Sequence, residues 1–170
     1  PGFHTAARAA VLANNYSGAA PQFGTLMTEA PKLRLGLGAA FIDALGTGCG
    51  PTPLRLEWSG TSALGGTASF WFSGARAGVL PDLAALWVGA QRVQTGLTGI
   101  GAPGCVLHAS LDFSAIVSAS TGTSTPLVVP FPNLPSLAGA RVYVQGAHVD
   151  GQANALGVVL SGAAIAVMGN

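Results

Sequence analysis

Leu54-Arg-Leu-Glu-Trp-Ser-Gly-Thr-Ser-Ala-Leu-Gly-Gly-Thr-Ala-Ser-Phe-Trp-Phe-Ser-Gly74 decides the class of fold. Its first part alternates Leu54, Leu56 and Trp58 with Arg55 and Glu57. Its last part alternates Ala68, Phe70 and Phe72 with Thr67, Ser69 and Trp71. A period of two places one set of side chains on a core and the other toward solvent, which is a strand and not a helix. Ser59-Gly60 and Gly65-Gly66 between the two runs are turn signals. The stretch therefore reads as two strands joined by a turn.

The same pattern extends in both directions. Leu33, Leu35 and Leu37 alternate with Lys32, Arg34 and Gly36, and Val142 and Val144 alternate with Arg141, Tyr143 and Gln145. Residues 83–93, 106–113, 115–120, 126–131, 157–160 and 164–168 read as further strands, and 151–170 as two strands and a turn. Ser73-Gly74, Thr121-Gly122, Asp150-Gly151 and Ser161-Gly162 supply the turns. Many short strands at regular spacing predict an all-β chain, an antiparallel β-sandwich of jelly-roll or Ig-like type, over residues 31–170.

Residues 1–30 differ. Ala6, Ala7, Ala9, Ala10 and Ala13 suit a short helix or a small-residue strand, and Pro21 and Pro31 interrupt the chain. We expect an N-terminal arm there, extended or briefly helical. An uncharged small-residue arm can lie along a sheet edge, its own or a neighbour's.

Composition excludes several classes. The 170 residues are 49% hydrophobic and 8% charged, the reverse of a disordered chain. A formal net charge of +1 lacks the basic surplus of a nucleic-acid binder. Lys32 is the only lysine, which argues against a coiled coil or helical bundle. The longest charge-free stretch, 113–140, contains four prolines and many Ser and Thr, so it is no membrane helix. The apolar run at 155–168 is broken by Gly157, Ser161 and Gly162 and is shorter than the about 20 residues a helical span takes. The chain begins at Pro1 with no charged-then-apolar leader, so we expect any signal peptide to have been removed.

Cys49 and Cys105 each sit in a glycine-rich turn, Gly46-Thr-Gly-Cys49-Gly-Pro and Gly101-Ala-Pro-Gly-Cys105. An even count in matched turns suggests one disulfide formed in an oxidising compartment; the alternative is two unpaired buried thiols.

Three stretches carry a family resemblance. They are Leu45-Gly-Thr-Gly-Cys-Gly-Pro-Thr-Pro-Leu54, Gly101-Ala-Pro-Gly-Cys-Val-Leu-His108, and Leu137-Ala-Gly-Ala-Arg-Val-Tyr-Val-Gln-Gly146 with Ala153-Asn-Ala-Leu-Gly157. From about residue 44 to 170 the chain resembles a secreted β-domain that recurs at the C-termini of extracellular proteins of planctomycete-type bacteria. The resemblance implies a β-sandwich, export, and a disulfide between Cys49 and Cys105. It carries over no catalytic role.

Residues capable of chemistry are sparse. A glycoside hydrolase needs two facing carboxylates, and Glu57 with Asp112 is the pair that sequence alone leaves open. No two of His4, His108 and His148 stand at metal-ligand spacing, and no G-x-S-x-G marks a nucleophile. Asp150 and Asn154 fit a turn better than a calcium loop. No cofactor, metal or catalytic residue is expected. Trp71, Trp87 and Tyr143 remain as binding or interface candidates, with Trp71 and Tyr143 on the solvent phase of their strands.

Low charge, few lysines to guard strand edges and an Ala-rich arm point to a non-catalytic extracellular protein. We expect it to be secreted or on the cell surface and to form a homo-oligomer or polymer. A carbohydrate-binding or adhesion module, with a polysaccharide partner, is the alternative.

Overall fold

The computed structural model describes residues 38–77, 82–119 and 121–170. The arm expected over 1–30 and the alternating leucines at 33–37 lie outside the described residues, as does the boundary at residue 31.

The described residues are all-β. The strands are β1 (Phe41–Leu45), β2 (Arg55–Gly60), β3 (Thr67–Ser73), β4 (Ala84–Gly89), β5 (Arg92–Gly96), β6 (Val106–Ala109), β7 (Phe113–Val117), β8 (Leu127–Pro130), β9 (Arg141–Val149) and β10 (Val158–Val167). They form a five-stranded sheet in the order β1-β10-β9-β4-β7, a three-stranded sheet β2-β3-β8 and a two-stranded hairpin β5-β6. Every strand pairing is antiparallel.

The two larger sheets pack as a β-sandwich. Ala68, Phe70 and Phe72, the apolar phase of β3, are buried and meet Leu86, Val144 and Ala164 of the large sheet in one core. Gly146 permits the contact, since a Cβ there would lie 2.5 Å from Cδ1 of Phe72. Register then sorts the large sheet into two faces. Ala84, Leu86 and Val88 pair with His148, Gly146 and Val144 on the inner face. Ala85 and Trp87 pair with Ala147 and Gln145 on the outer face. The β5–β6 hairpin lies over part of that outer face, so the molecule has a third, partial layer.

Three strand assignments made from the sequence are corrected. Residues 83–93 are not one strand. Ala90 N–H donates to Asp112 Oδ2 at 2.7 Å and Gln91 N–H to Ser110 Oγ at 3.1 Å, and these side-chain bonds replace the ladder where β4 turns into β5. Residues 106–113 likewise split at Ser110–Asp112 between β6 and β7. Residues 157–160 and 164–168 are not two strands but one, β10, with a register shift between Leu160 and Ala163. The Ser161-Gly162 pair taken as a turn is a bulge within β10. Ser161 Oγ accepts from Gly146 N–H at 2.8 Å, and Gly162 leaves room for the carbonyl of Gly46. Strand β1, Phe-Ile-Asp-Ala-Leu, has no sequence prediction behind it because a lone five-residue edge strand shows little alternation.

Cys49 and Cys105 form a disulfide, with S–S 2.00 Å and Cα–Cα 5.0 Å. It ties the loop after β1 to the loop end of the β5–β6 hairpin, next to Val106. Cys49 N–H also donates to Leu160 O at 2.9 Å, so the bridge is anchored at the β10 bulge. The bonded cysteines are 56 residues apart, and closing such a loop stabilises the fold by about 4 kcal/mol on chain-entropy grounds. Replacing both cysteines with alanine is therefore expected to lower the free energy of unfolding by about that amount. Urea unfolding of the variant against the oxidised wild type measures it; a difference below about 1 kcal/mol contradicts the assignment.

Candidate functional site

The residue that organises the outer face is Gln145. Its side chain is fully buried, at 0% exposure. Its Oε1 accepts from His108 N–H at 2.8 Å, and its Nε2 donates to Val106 O and to Ser161 O, both at 2.9 Å. One amide thus stitches β6 to β9 and fills the gap that the bulge opens in β10. A buried amide is stable only when its donors and acceptors are used, and here three of four are. Sequence alternation placed Gln145 and Tyr143 toward solvent. The structure corrects both: β9 is buried on two faces, and Tyr143 is 5% exposed.

The hairpin and its loops cover the outer face only in part. Beside them runs an apolar groove of about 310 Å³. Its walls include Trp87 of β4, Ile116 of β7, Leu97 after β5, Leu156 before β10, and Leu83. Ile116 is 71% exposed, Leu83 43% and Leu156 38%. Three large aliphatic side chains in one place on a chain this small form a patch of the kind associated with interaction sites. The groove opens beside β7, the outermost strand of the large sheet.

A second depression, of about 400 Å³, has a mixed lining of apolar and polar side chains. It lies between the loop after β3 and the β9–β10 loop and is lined by Thr52, Arg76, Asp150 and Gln152 among others. Arg76 Nη1 donates to Gln152 Oε1 at 2.6 Å and stands 4.0 Å from Asp150 Oδ1. Asp150 is itself buried and accepts from Gln152 N–H at 3.0 Å. Asn154 bonds the backbone of Val158 in both directions. Asp150 and Asn154 thus shape a hairpin loop, as their turn reading implied.

The sequence-predicted site residues fall in separate places. Cys49 and Cys105 meet in the disulfide. Trp71 is half-buried on the outer face of β2-β3-β8, opposite Glu57. Trp87 lines the apolar groove on the other sheet, and Tyr143 is buried two pairs along from it. The three aromatics do not form one platform. Glu57 accepts a hydrogen bond from Ser73 Oγ on the outer face of the small sheet, whereas Asp112 caps the β6–β7 turn. The two carboxylates do not face each other across a cleft.

His108 and His148 are buried, and His4 lies outside the described residues. His148 lies on the inner face of β9 and His108 on the hairpin over the outer face, so they do not meet. Neither Nδ1 has a hydrogen-bond partner among the described residues. Among those residues no three metal-capable side chains cluster, and no helix is long and apolar enough to cross a membrane. Ile116, Leu83 and Gln145 escaped sequence reasoning; the charge-free stretch starting at Phe113 was the one signal pointing to the β7 edge.

Compared with family models, curated proteins and solved structures, the chain matches none.

Burial holds the His108 imidazole below its ordinary 6.5, and the Arg92 guanidinium adds to the effect. A lowered base binds fewer protons folded than unfolded. Its contribution is complete above 6.5 and is lost as pH falls from there through the folded value. The urea midpoint is therefore expected to drop between about pH 7 and pH 5. His108→Gln should flatten that slope whatever it does to the midpoint at pH 7. An unchanged slope in the variant removes His108 as the cause.

Proposed function

We propose that this is a non-catalytic, secreted structural protein that self-assembles through β-strand contacts into an extracellular fibre or surface layer. The observation that carries the reading is the state of the sheet edges. Strands β1, β7, β2 and β8 end the two larger sheets, and none carries a lysine. Edge lysines are a common guard against strand-to-strand association. A formal net charge of +1 leaves little long-range repulsion between copies. The disulfide suits an oxidising compartment, and the resemblance to secreted bacterial β-domains points the same way.

A second reading, a carbohydrate-binding or adhesion module, is favoured by the polar groups in the 400 Å³ depression. Arg76, Asp150 and Gln152 there combine donors with acceptors, as neutral sugar hydroxyls require. In that case Arg76→Ala abolishes retention on a polysaccharide column.

Self-assembly is tested by sedimentation velocity over a hundredfold range of protein concentration, with electron microscopy of the concentrated sample. The expected result is a weight-average mass that rises with concentration and ordered particles at the upper end. A sharp monomer boundary throughout would count against the structural reading, and retention on polysaccharide would then favour the second.

A further inference from the structure

We propose that the joint between copies is β7 paired with β7 of a second copy, antiparallel about a twofold axis, so that two five-stranded sheets become one. This deepens the self-assembly reading and rests on it.

Elimination among the edges favours β7. Strand β1 centres on Asp43, and antiparallel self-pairing there would set two carboxylates against each other. Strand β2 carries Arg55 and Glu57, and β8 ends in Pro130, which lacks an N–H for a new ladder. Within the hairpin, β6 is already bonded along one side by the Gln145 amide, and β5 carries Arg92. Strand β7, Phe-Ser-Ala-Ile-Val, has neither charge nor proline. Among the described residues its one strand partner is β4. Its other side therefore offers a row of backbone donors and acceptors.

The strand is also self-complementary. The register that pairs all five residues is centred on Ala115. It sets Phe113 against the second copy's Val117, and Ser114 against its Ile116. Phe113 is 56% exposed, and Val117 is buried beside Ala84, so the exposed ring gains an apolar neighbour. On the outer face, Ser114 lies in register with Trp87. Each Ile116 would then reach past the opposing Ser114 toward the groove wall formed by Trp87. The two grooves would join across the axis, and an edge strand plus an adjoining apolar groove is the arrangement used in strand addition. An isologous joint of this kind closes on two copies. A fibre or layer then needs a further contact elsewhere.

The test is cysteine capture in the full chain. Ala115→Cys places two thiols directly opposite across the axis, at a separation a disulfide can span. Mild oxidation should give a covalent dimer in high yield, while Val128→Cys, exposed on β8, should give little. Ile116→Lys should at least halve the capture of Ala115→Cys while leaving the urea midpoint in place. Absence of capture at Ala115 overturns the joint. Equal capture at Val128 also overturns it, since it would reveal collision and not pairing. Protection of the β7 amides from hydrogen exchange that is independent of concentration would assign the edge to this chain's own residues 1–37 and overturn it too. If Ile116→Lys still sediments as the wild type does, self-assembly stands and β7 is not its joint. If the wild type is monomeric at every concentration, both fall.

Discussion

The three hydrogen bonds of the Gln145 side chain are the constraint on which the outer half of the molecule depends. They occupy a fully buried amide that reaches two strands at once, β6 and β10. The bulge in β10 makes sense only together with them. In a regular ladder Ser161 O would point at a backbone N–H of β9; displaced by the bulge, it is met by Gln145 Nε2 instead. Ser161 Oγ takes the Gly146 N–H that the shift would otherwise strand. Bulge, serine and glutamine therefore form one unit. Leaving a buried donor or acceptor unpaired costs about 1–3 kcal/mol, more than a bulge that keeps all of them bonded.

From this unit follows the placement of the surface. Gln145 and the disulfide fix the hairpin over β9 and β10, at two points that lie close together on either side of the bulge. The hairpin therefore leaves the β7 side of the outer face open. The apolar residues of that uncovered side, Trp87 and Ile116, are left to form a groove. The exposed edge of β7 and the exposed groove are thus two results of one cause, the anchoring of the third layer at the far side of the sheet.

Why some of this was legible in the sequence and some was not has a physical answer. Alternation reports on a strand with one dry face and one wet face. Strand β3 is such a strand, and its Ala68, Phe70 and Phe72 are buried as read. Strand β9 has dry faces on both sides, so the rule mistook Tyr143 and Gln145 for solvent-facing residues. No local pattern announces a third layer, because the hairpin that makes it comes from residues 92–109 and closes on β9 from far along the chain. Paired cysteines in matched turns carry long-range information in a form a sequence does display, and the disulfide was legible for that reason. His108 is buried by the same third layer. Among its neighbours is Gly46, which is remote in sequence.

The scarcity of charge also takes on a structural meaning. Each carboxylate among the described residues accepts a hydrogen bond from a neighbouring N–H or O–H. Asp43 takes Ala44 N–H, Glu57 takes Ser73 Oγ, Asp82 takes Ser118 and Ala119, Asp112 takes Ala90 and Ser110, and Asp150 takes Gln152. For Asp112 those bonds, the one from Ala90 first, hold the carboxyl below its ordinary value, so it stays ionised to lower pH. Asp43 and Glu57 stand within the edge strands β1 and β2, and the other three, Asp82, Asp112 and Asp150, sit in loops. The three in loops serve as fixed acceptors in place of backbone partners that turns leave unfilled. Those three do not stand on the flat faces or edges of the sheets. Asp112, just before β7, and Asp82, bonded just after it, hold the two ends of an uncharged strand.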